Sequence, residues 1–375
     1  MDIDGPGMIQ LLTLAMNRLQ SGRFRKMKIV LKQLITMTML AAYPVFAHHS
    51  SAGRYDSSGI MEVEGEITSV SWRSPHVEYT LETADENGAI VDWMVEGAAP
   101  ATLSRAGLSV DTIKPGDHVR VAGWPPVGDK KEMFLQNALL PTGEELLLWV
   151  SARPRWSDRQ KNDFSFWRQT EGYPSRPELG LFRVWSSSLA LRSSAFTLNP
   201  ADADNYPLTD AARNAVERYQ QDKQNLTTLG CSPKGMPLMM EQPYPMEFRR
   251  AGDDIVLRLE EYDAVRTIHM NREAPPAGTE NSSLGYSVGH WENETLVVTT
   301  THVNWPLFNQ IGVPQSTEAV LVERFTPAAD GSSLAYELTT TDPANFTEPF
   351  SGSKTWLYLP DQEVLSYDCQ ATSGE

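Results

Sequence analysis

The chain from residue 247 onward is a succession of short stretches in which apolar and polar residues alternate. Alternation with a period of two places successive side chains on opposite faces of a β-sheet. Four stretches read as hairpins with turn residues at their centres: "DDIVLRLEEYDAVRTIHM", "YSVGHWENETLVVTTTHV", "EAVLVERFTPAADGSSLAYELTT" and "KTWLYLPDQEVLSYDC". With "LGLFRVW" upstream they predict about nine strands, the number expected of a closed up-and-down barrel or a half-open β-sandwich.

A second run of short strands is predicted over residues 61–150. The first three are carried by "MEVEGEITSVSW", "HVEYTLET" and "AIVDWMVEG", and "APATLSRAGLS" then predicts a short helix. "TIKPGDHVRVAGWPP" and "EMFLQNALLPTGEELLLWV" predict a fourth strand, a fifth strand and a terminal hairpin. Five strands with a helix between the third and fourth is the order of an OB-type barrel.

The start of the chain has the pattern of a secretory signal peptide. "RFRKMKIVLK" is basic, "LITMTMLAAY" is apolar, and Val45 and Ala47 are the small residues before a cleavage site. The apolar run is about half the roughly 20 residues that cross a bilayer, so the pattern predicts cleavage rather than a transmembrane anchor. We expect an exported protein, periplasmic or extracellular, whose mature chain starts at His48. Residues 1–26 are either an overlong start ahead of Met27 or a longer basic region.

The net charge and the cysteine content further restrict which partners and which kinds of site the protein can have. The chain has 32 basic and 48 acidic residues, a formal charge of -16, and such an acidic field argues against a nucleic-acid partner. Its two cysteines, Cys231 and Cys369, both lie in the exported part, where an even count predicts one disulfide. Two buried free thiols are the alternative. No CxxC spacing indicates a zinc or redox site.

The front region resembles a family of exported bacterial domains of unknown function. The resemblance rests on the mature terminus His48-His49-Ser50, the strand "GEITSVSW", the pair Pro75-His76 and the turn "KPGD" at 114–117. It implies a small periplasmic β-barrel and no particular activity. This chain is longer than members that consist of that domain alone.

The rear region resembles a second group of uncharacterised exported bacterial proteins. The shared features are "CSPKGMPLMMEQPYPMEF", the hairpin "GHWENETLVVTTTHVN" and "ERF". This resemblance implies a lipocalin-like barrel. The group often has His where this chain has Tyr286 and Gln315, which argues against an inherited metal or acid–base role.

The predicted fold is therefore mainly β, with an OB-like five-stranded barrel followed by a lipocalin-like antiparallel β-barrel. One short helix is predicted in the connecting region over 209–222, where Thr209 can cap "DAARNAVERYQQ" and its apolar stripe. The predicted divisions are a signal peptide over 1–47, the OB-like domain over 48–150, a connecting segment over 151–235 and the second barrel over 236–375.

The exported terminus is a candidate copper site. Cleavage after Ala47 would leave His48 with a free amine beside its imidazole, and His49 and His76 could supply further nitrogens. Amine and imidazole ligands rank copper highest among the divalent ions. The alternative is a solvated terminus with no ligand, which is the common state of chain ends.

The rear barrel supplies a second set of candidates. We predict that Glu260 and Tyr262 share one face of their strand, and that His290 shares a face with Tyr286. If these faces point inward, His290 and Glu260 form an acid–base pair in a pocket for an apolar molecule. If they point outward, as we expect for most of the polar members, they are solvated. The candidate ligand-binding residues are Tyr262, Tyr286, Trp291 and Trp356.

Three functions fit these patterns. The first is an exported binding protein that uses the copper site, an apolar pocket in the rear barrel, or both. The second is a cofactor-independent isomerase, hydratase or cyclase acting on a hydrophobic small molecule in that barrel. The third is an envelope module whose OB face holds a protein or a glycan. No nucleophile-elbow, zinc-protease or phosphate-loop motif is present in the sequence to favour a particular enzyme class.

Overall fold

Two β-sheets account for most of the regular structure. The computed structural model describes residues 54–85, 87–187, 202–221, 231 and 233–369. The first sheet contains β1 (Met61–Ser71), β2 (Glu78–Ala84), β3 (Ile90–Glu96), β4 (His118–Trp124), β5 (Glu132–Leu139) and β6 (Glu145–Leu147). Its strand order is β3-β2-β1-β4-β5-β6.

The first sheet closes into the predicted five-stranded barrel. Closure comes from a parallel pairing of β3 with β5, in which Met94 lies opposite Glu132. Helix α1 (Pro100–Arg105) lies between β3 and β4, as the sequence predicted. The alternating residues of β2, such as Tyr79 and Leu81, are buried in the barrel core.

Strand β5 is covered on both faces along nearly its whole length. Met133 and Leu135 point into the barrel core. Phe134, on the other face, stacks on Trp124 at 5.2 Å between ring centroids and meets Trp149 edge to face at the same distance. This aromatic cover makes the end of β5 a dry environment for charged neighbours.

The second sheet contains nine strands, the number predicted, but the set differs. The second half of the last predicted hairpin, "EVLSYDC", forms no strand, and the strand at Met246–Ala251 was not predicted. The nine strands are β7 (Val184–Trp185), β8 (Met246–Ala251), β9 (Asp254–Leu259), β10 (Ala264–His269), β11 (Tyr286–Glu292), β12 (Thr295–Thr301), β13 (Val320–Pro327), β14 (Ser333–Thr341) and β15 (Phe350–Leu357). Each strand pairs with the next along the chain. All pairs are antiparallel except β10 and β11, which are parallel over Ile268–Ser287 and His269–Val288.

The second sheet curls into a nearly closed barrel. Ser186, directly after β7, and Leu357, the last residue of β15, exchange two backbone hydrogen bonds of 2.8 and 2.7 Å. Large side chains such as Trp185, Phe248 and Trp356 fill the interior. The two outer strands thus meet along one short seam.

Helix α2 (Asp210–Gln221) confirms the helix predicted in the connecting region. The hydroxyl of Thr209 accepts a hydrogen bond from the N–H of Ala212 at 3.2 Å, which is the predicted N-cap. Ala212 and Val216 are buried in the core of the second barrel. No helix within the described ranges is long and apolar enough to cross a membrane.

The end of β9 differs from the prediction. The strand stops at Leu259, and Glu260 leads into a short 3₁₀ turn, Glu261–Asp263, in which Tyr262 has φ 59°. Glu260 and Tyr262 therefore do not share a strand face. The Glu260 carboxylate is held instead by a residue of the first barrel.

That partner is Arg105, the last residue of α1. Its NH1 and NH2 nitrogens donate to Oε1 and Oε2 of Glu260 at 2.7 and 2.5 Å. The backbone N–H of Leu365 donates to the same carboxylate at 2.9 Å. The side chains of Arg105 and Glu260 are only 6% and 0% exposed. One buried ion pair therefore connects the first barrel to the second.

The C-terminal tail adds a covalent link. Cys231 and Cys369 form a disulfide, as predicted. Cys369 also makes a parallel bridge with Ser74 of the first barrel. The backbone N–H of Tyr367 donates to the Asp263 carboxylate at 2.9 Å. The tail is therefore held by residues of both sheets.

Breaking the buried ion pair should be costly. Arg105→Met leaves the Glu260 carboxylate buried without a counter-charge, so we expect a loss of about 3–5 kcal/mol in the free energy of unfolding. Urea unfolding followed by circular dichroism measures this loss. The double variant Arg105→Met/Glu260→Met should recover most of it, because apolar residues of similar volume replace the pair.

The matched control is Arg120→Met. Arg120 pairs with Glu64 at 3.0 Å, but both side chains are almost half exposed. Its replacement should cost less than about 1 kcal/mol. Equal losses for the buried pair and this surface pair would contradict the assigned role of Arg105.

Candidate functional site

Five polar side chains meet where β3 and β5 close the first barrel. We call Arg54, Tyr55, His76, Glu96 and Glu132 the His76 cluster. Glu96 ends β3 and Glu132 begins β5, so the parallel pairing brings these two carboxylates to the same end of the barrel. Arg54 and Tyr55 precede β1, and His76 precedes β2.

Glu96 lies at the centre of the cluster and is only 3% exposed. Its Oε1 contacts Nδ1 of His76. Its Oε2 accepts hydrogen bonds from the Tyr55 hydroxyl at 2.7 Å and from NH1 of Arg54 at 3.1 Å. The Arg54 guanidinium also donates to Glu132, at 2.6 Å from NH2 to Oε2. One arginine therefore lies between two buried carboxylates.

These contacts keep Glu96 ionised. Burial raises the pKa of a carboxyl group, but the charge and hydrogen bond of His76, with Arg54 and Tyr55, bring the pKa of Glu96 below its ordinary value. Burial and the neighbouring Glu96 charge raise the pKa of Tyr55. Tyr55 therefore stays protonated and donates its hydrogen to the carboxylate.

His76 is the member of the cluster that faces outward. Its side chain is 28% exposed, and its ring meets Phe134 edge to face at 6.0 Å. With Nδ1 directed at Glu96, the other ring nitrogen, Nε2, has no hydrogen-bond partner among the described residues. A carboxylate on one imidazole nitrogen fixes the tautomer and leaves the other nitrogen as a potential metal ligand.

The predicted copper ligands are only partly described. His76 has the arrangement just given, whereas His48 and His49 lie outside the described residues. Among the described residues, no group of three or more His, Cys, Asp or Glu side chains could hold a metal ion. The copper site therefore stays a prediction.

The second barrel contains a stripe of buried polar side chains that we call the polar belt. Each of its six neighbouring strands, β10 to β15, contributes one side chain that is at most 2% exposed. The members are Arg266, Ser287, Thr300, Glu323, Tyr336 and Lys354. We expected most polar side chains of this region to face outward, and these six face inward.

Most of the belt is a satisfied network around one ion pair. The Arg266 guanidinium contacts both carboxylate oxygens of Glu323 and donates to Thr300 at 2.6 Å and Ser287 at 2.8 Å. Tyr336 donates to Glu323 at 2.9 Å. Every charged atom of this pair is compensated, so the network fits inside an otherwise apolar core.

Lys354 is the exception, because no carboxylate lies within salt-bridge distance of its amine among the described residues. Its Nζ donates to the carbonyls of Met240 and Gln242 at 3.3 and 2.8 Å and lies 3.8 Å above the Trp356 ring. Burial lowers the pKa of Lys354 to about 7, although Glu241 and Glu261 act in the opposite direction. The alternation in "KTWLYL", with Lys354 and Trp356 on one face, is the sequence signal for this inward lysine.

The two predicted acid–base residues lie at opposite ends of β9. His290 is 61% exposed, pairs with Glu292 at 3.3 Å and shares a cavity with Asp254, the first residue of β9. Glu260 follows the last residue of β9 and is held by Arg105. Six residues of extended chain separate these ends by about 20 Å. The structure does not bring His290 and Glu260 together.

The four predicted ligand-binding residues are also dispersed. Trp356 is completely buried beneath Lys354. Tyr262 packs on Tyr367 at 5.1 Å, beside the link between the barrels. Tyr286 stacks on the His269 ring at 4.6 Å. Only Trp291 combines substantial exposure, 41%, with a place in a described cavity.

The chain matches a family of unknown function (DUF6152) over residues 37–133. The matched segment covers β1 to β4, helix α1 and the first residues of β5, and it includes four described strands of the five-stranded barrel. It also contains His76, Glu96 and Glu132. The expected resemblance of the front region to a family of unknown function is thereby confirmed. No curated protein matches the chain.

Lys354 should give the protein a characteristic pH dependence. The unfolded chain keeps this amine protonated up to about pH 10, whereas the folded protein releases the proton near pH 7. The unfolded state therefore binds more protons between these values, and raising the pH stabilises the fold by up to about 4 kcal/mol. Lys354→Met removes this contribution. The difference in unfolding free energy, wild type minus variant, should increase from pH 7 to pH 10.

Urea unfolding of both proteins at several pH values measures that difference, and contributions of the tyrosines cancel because both proteins contain them. The matched control is Lys130→Met, at a side chain that is 73% exposed. It should follow the wild-type pH dependence. A difference for Lys354→Met that does not change with pH would contradict the buried neutral amine.

Proposed function

We propose that the protein is an exported binding protein that holds a copper ion on its first barrel. In this proposal His76 supplies one nitrogen, and His48 and His49 at the mature terminus supply the others. The observation that supports it best is the pairing of His76 with the buried, ionised Glu96. That pairing orients the ring, leaves its other nitrogen directed away from Glu96 and is typical of histidines that ligate metals.

Chain length allows the terminus to reach His76. Arg54, the first described residue, already donates to Glu96. His49 precedes Arg54 by five residues, which span at most roughly 18 Å when fully extended. The length of the intervening chain is therefore compatible with a site that combines the terminal histidines and His76.

Export is part of the proposal, since the terminal amine exists only if the signal peptide is removed after Ala47. The disulfide between Cys231 and Cys369 supports export, because such bonds persist mainly in oxidising compartments. An amine and two or three imidazoles form a nitrogen-rich set that suits copper(II). The proposed activity is metal binding, with no reaction assigned.

Copper titration of the protein recovered from the periplasm tests the proposal, with a competing chelator to set the affinity range. His76→Ala should weaken binding sharply, and Glu96→Gln should weaken it by about 10- to 100-fold, as for other residues that support a metal ligand. Affinity should fall as the pH drops through the imidazole range, because protons compete for the same nitrogens. Electron paramagnetic resonance should show nitrogen ligands.

Two further variants distinguish the contribution of the terminus to copper binding from that of the barrel. One extra residue ahead of His48 keeps every histidine and displaces only the amine, so it should weaken binding. His118→Ala, at an exposed histidine of the same barrel, should have no effect. Unchanged affinity in the extended protein would remove the terminus from the site. Unchanged affinity in His76→Ala would remove the His76 cluster.

A further inference from the structure

A cavity opens at one end of the second barrel, where three neighbouring chain segments end at different levels along the barrel axis. β10 ends at His269, the β8–β9 turn lies at Gly252 and Asp253, and β11 continues to Glu292. Because the parallel pairing of β10 with β11 covers only two residue pairs, the last part of β11 has no paired strand on that side within the described ranges. The gap is an open cavity of ≈ 320 Å³, which we call the end cavity. This volume falls within the range of small-ligand sites, about 300 Å³ and above.

One wall of the end cavity is an exposed indole. Trp291 is 41% exposed although it lies in a regular strand. Its ring packs against Phe182 at 6.2 Å between centroids. The Arg250 guanidinium covers Phe182 at 3.8 Å from the ring centre. This stack orients Trp291 and leaves part of its surface uncovered at the cavity.

The rest of the lining carries polar groups of both hydrogen-bonding types. Asp254 is held in place, with Oδ1 accepting from the Met270 N–H at 3.0 Å and Oδ2 bonded to His269 at 2.9 Å. Asp253 and Asn271 have no hydrogen-bond partner for their side chains in the described parts of the chain. The cavity therefore offers free carboxylate and amide oxygens, an amide NH₂ and, from Arg250, guanidinium N–H groups.

This lining selects among classes of ligand. A purely apolar molecule would desolvate two carboxylates and an arginine without replacing their water hydrogen bonds. An anion would be repelled by the carboxylates of Asp253 and Asp254, and a simple cation would be repelled by the guanidinium of Arg250. A neutral polyol avoids these costs, because each hydroxyl both donates and accepts, and the C–H face of a sugar ring matches the indole.

We propose that the end cavity binds a saccharide. Its ring lies against Trp291, and its hydroxyls bond to Asp253, Asp254 and Asn271. The site is separate from the His76 cluster and uses none of its residues. In this proposal Trp291, which we expected to contact an apolar ligand, contacts a sugar instead.

Saturation-transfer NMR and calorimetry on the mature protein test the proposal. The sugar probes are glucose, N-acetylglucosamine and their β-1,4-linked trisaccharides. Tetramethylammonium represents a cationic ligand and a fluorescent apolar dye represents an apolar ligand. At least one sugar should bind saturably. Trp291→Ala should reduce its affinity at least about tenfold, whereas Trp291→Phe should keep part of it. Asp253→Ala should also weaken binding.

Tyr173→Ala is the control, because Tyr173 is a similarly exposed aromatic residue, at 49%, that does not line the cavity. It should bind sugar as the wild type does. Thermal unfolding of each variant shows that the fold is kept. The proposal is overturned if no sugar binds, if sugar binding survives Trp291→Ala unchanged, or if only the ammonium ion or the dye binds at Trp291.

Discussion

The buried pair of Arg105 and Glu260 is the charged contact that joins the two barrels. Glu260 lies between the end of β9 and the turn that carries Tyr262, and its pair with Arg105 joins helix α1 of the first barrel to the second. Two charges taken out of water need each other as counter-charges, so removing either partner leaves the other buried and uncompensated. The aromatic packing and the tail contacts near this pair depend on the same approach of the two barrels.

Each barrel uses buried charge in a different way. In the first, Glu96 is ionised and its partners leave the outward nitrogen of His76 free, which is an arrangement suited to a ligand. In the second, Arg266 and Glu323 satisfy each other and their hydroxyl neighbours, so this network contributes to a unique register of the strands. The interior is filled, and the described cavity lies at the barrel end, where β10 stops at His269.

Much of the fold was predictable because side-chain alternation is a local property. The five strands with α1 after the third, eight of the nine later strands and helix α2 follow from patterns within short windows, whereas β8 was missed and "EVLSYDC" was wrongly predicted as a strand. Arg105 and Glu260 are 155 positions apart, and no local pattern pairs them. Alternation predicts which side chains of the strand share a face with Thr300, but it does not predict whether that face lies inside the barrel. The cavity at Trp291 depends on the length of one parallel pairing, which periodicity does not encode.

The disulfide has a topological consequence. Cys231 and Cys369 are 138 residues apart, and the chain between them contains β8 to β15. Eight strands of the second barrel therefore belong to one covalent ring. A single proteolytic cut in any turn of this ring opens it but releases no fragment, because both new ends remain attached through the sulfur bridge. In a compartment that contains proteases, a nicked molecule keeps the strands of its second barrel together and can retain the paired arrangement that a linear chain would lose.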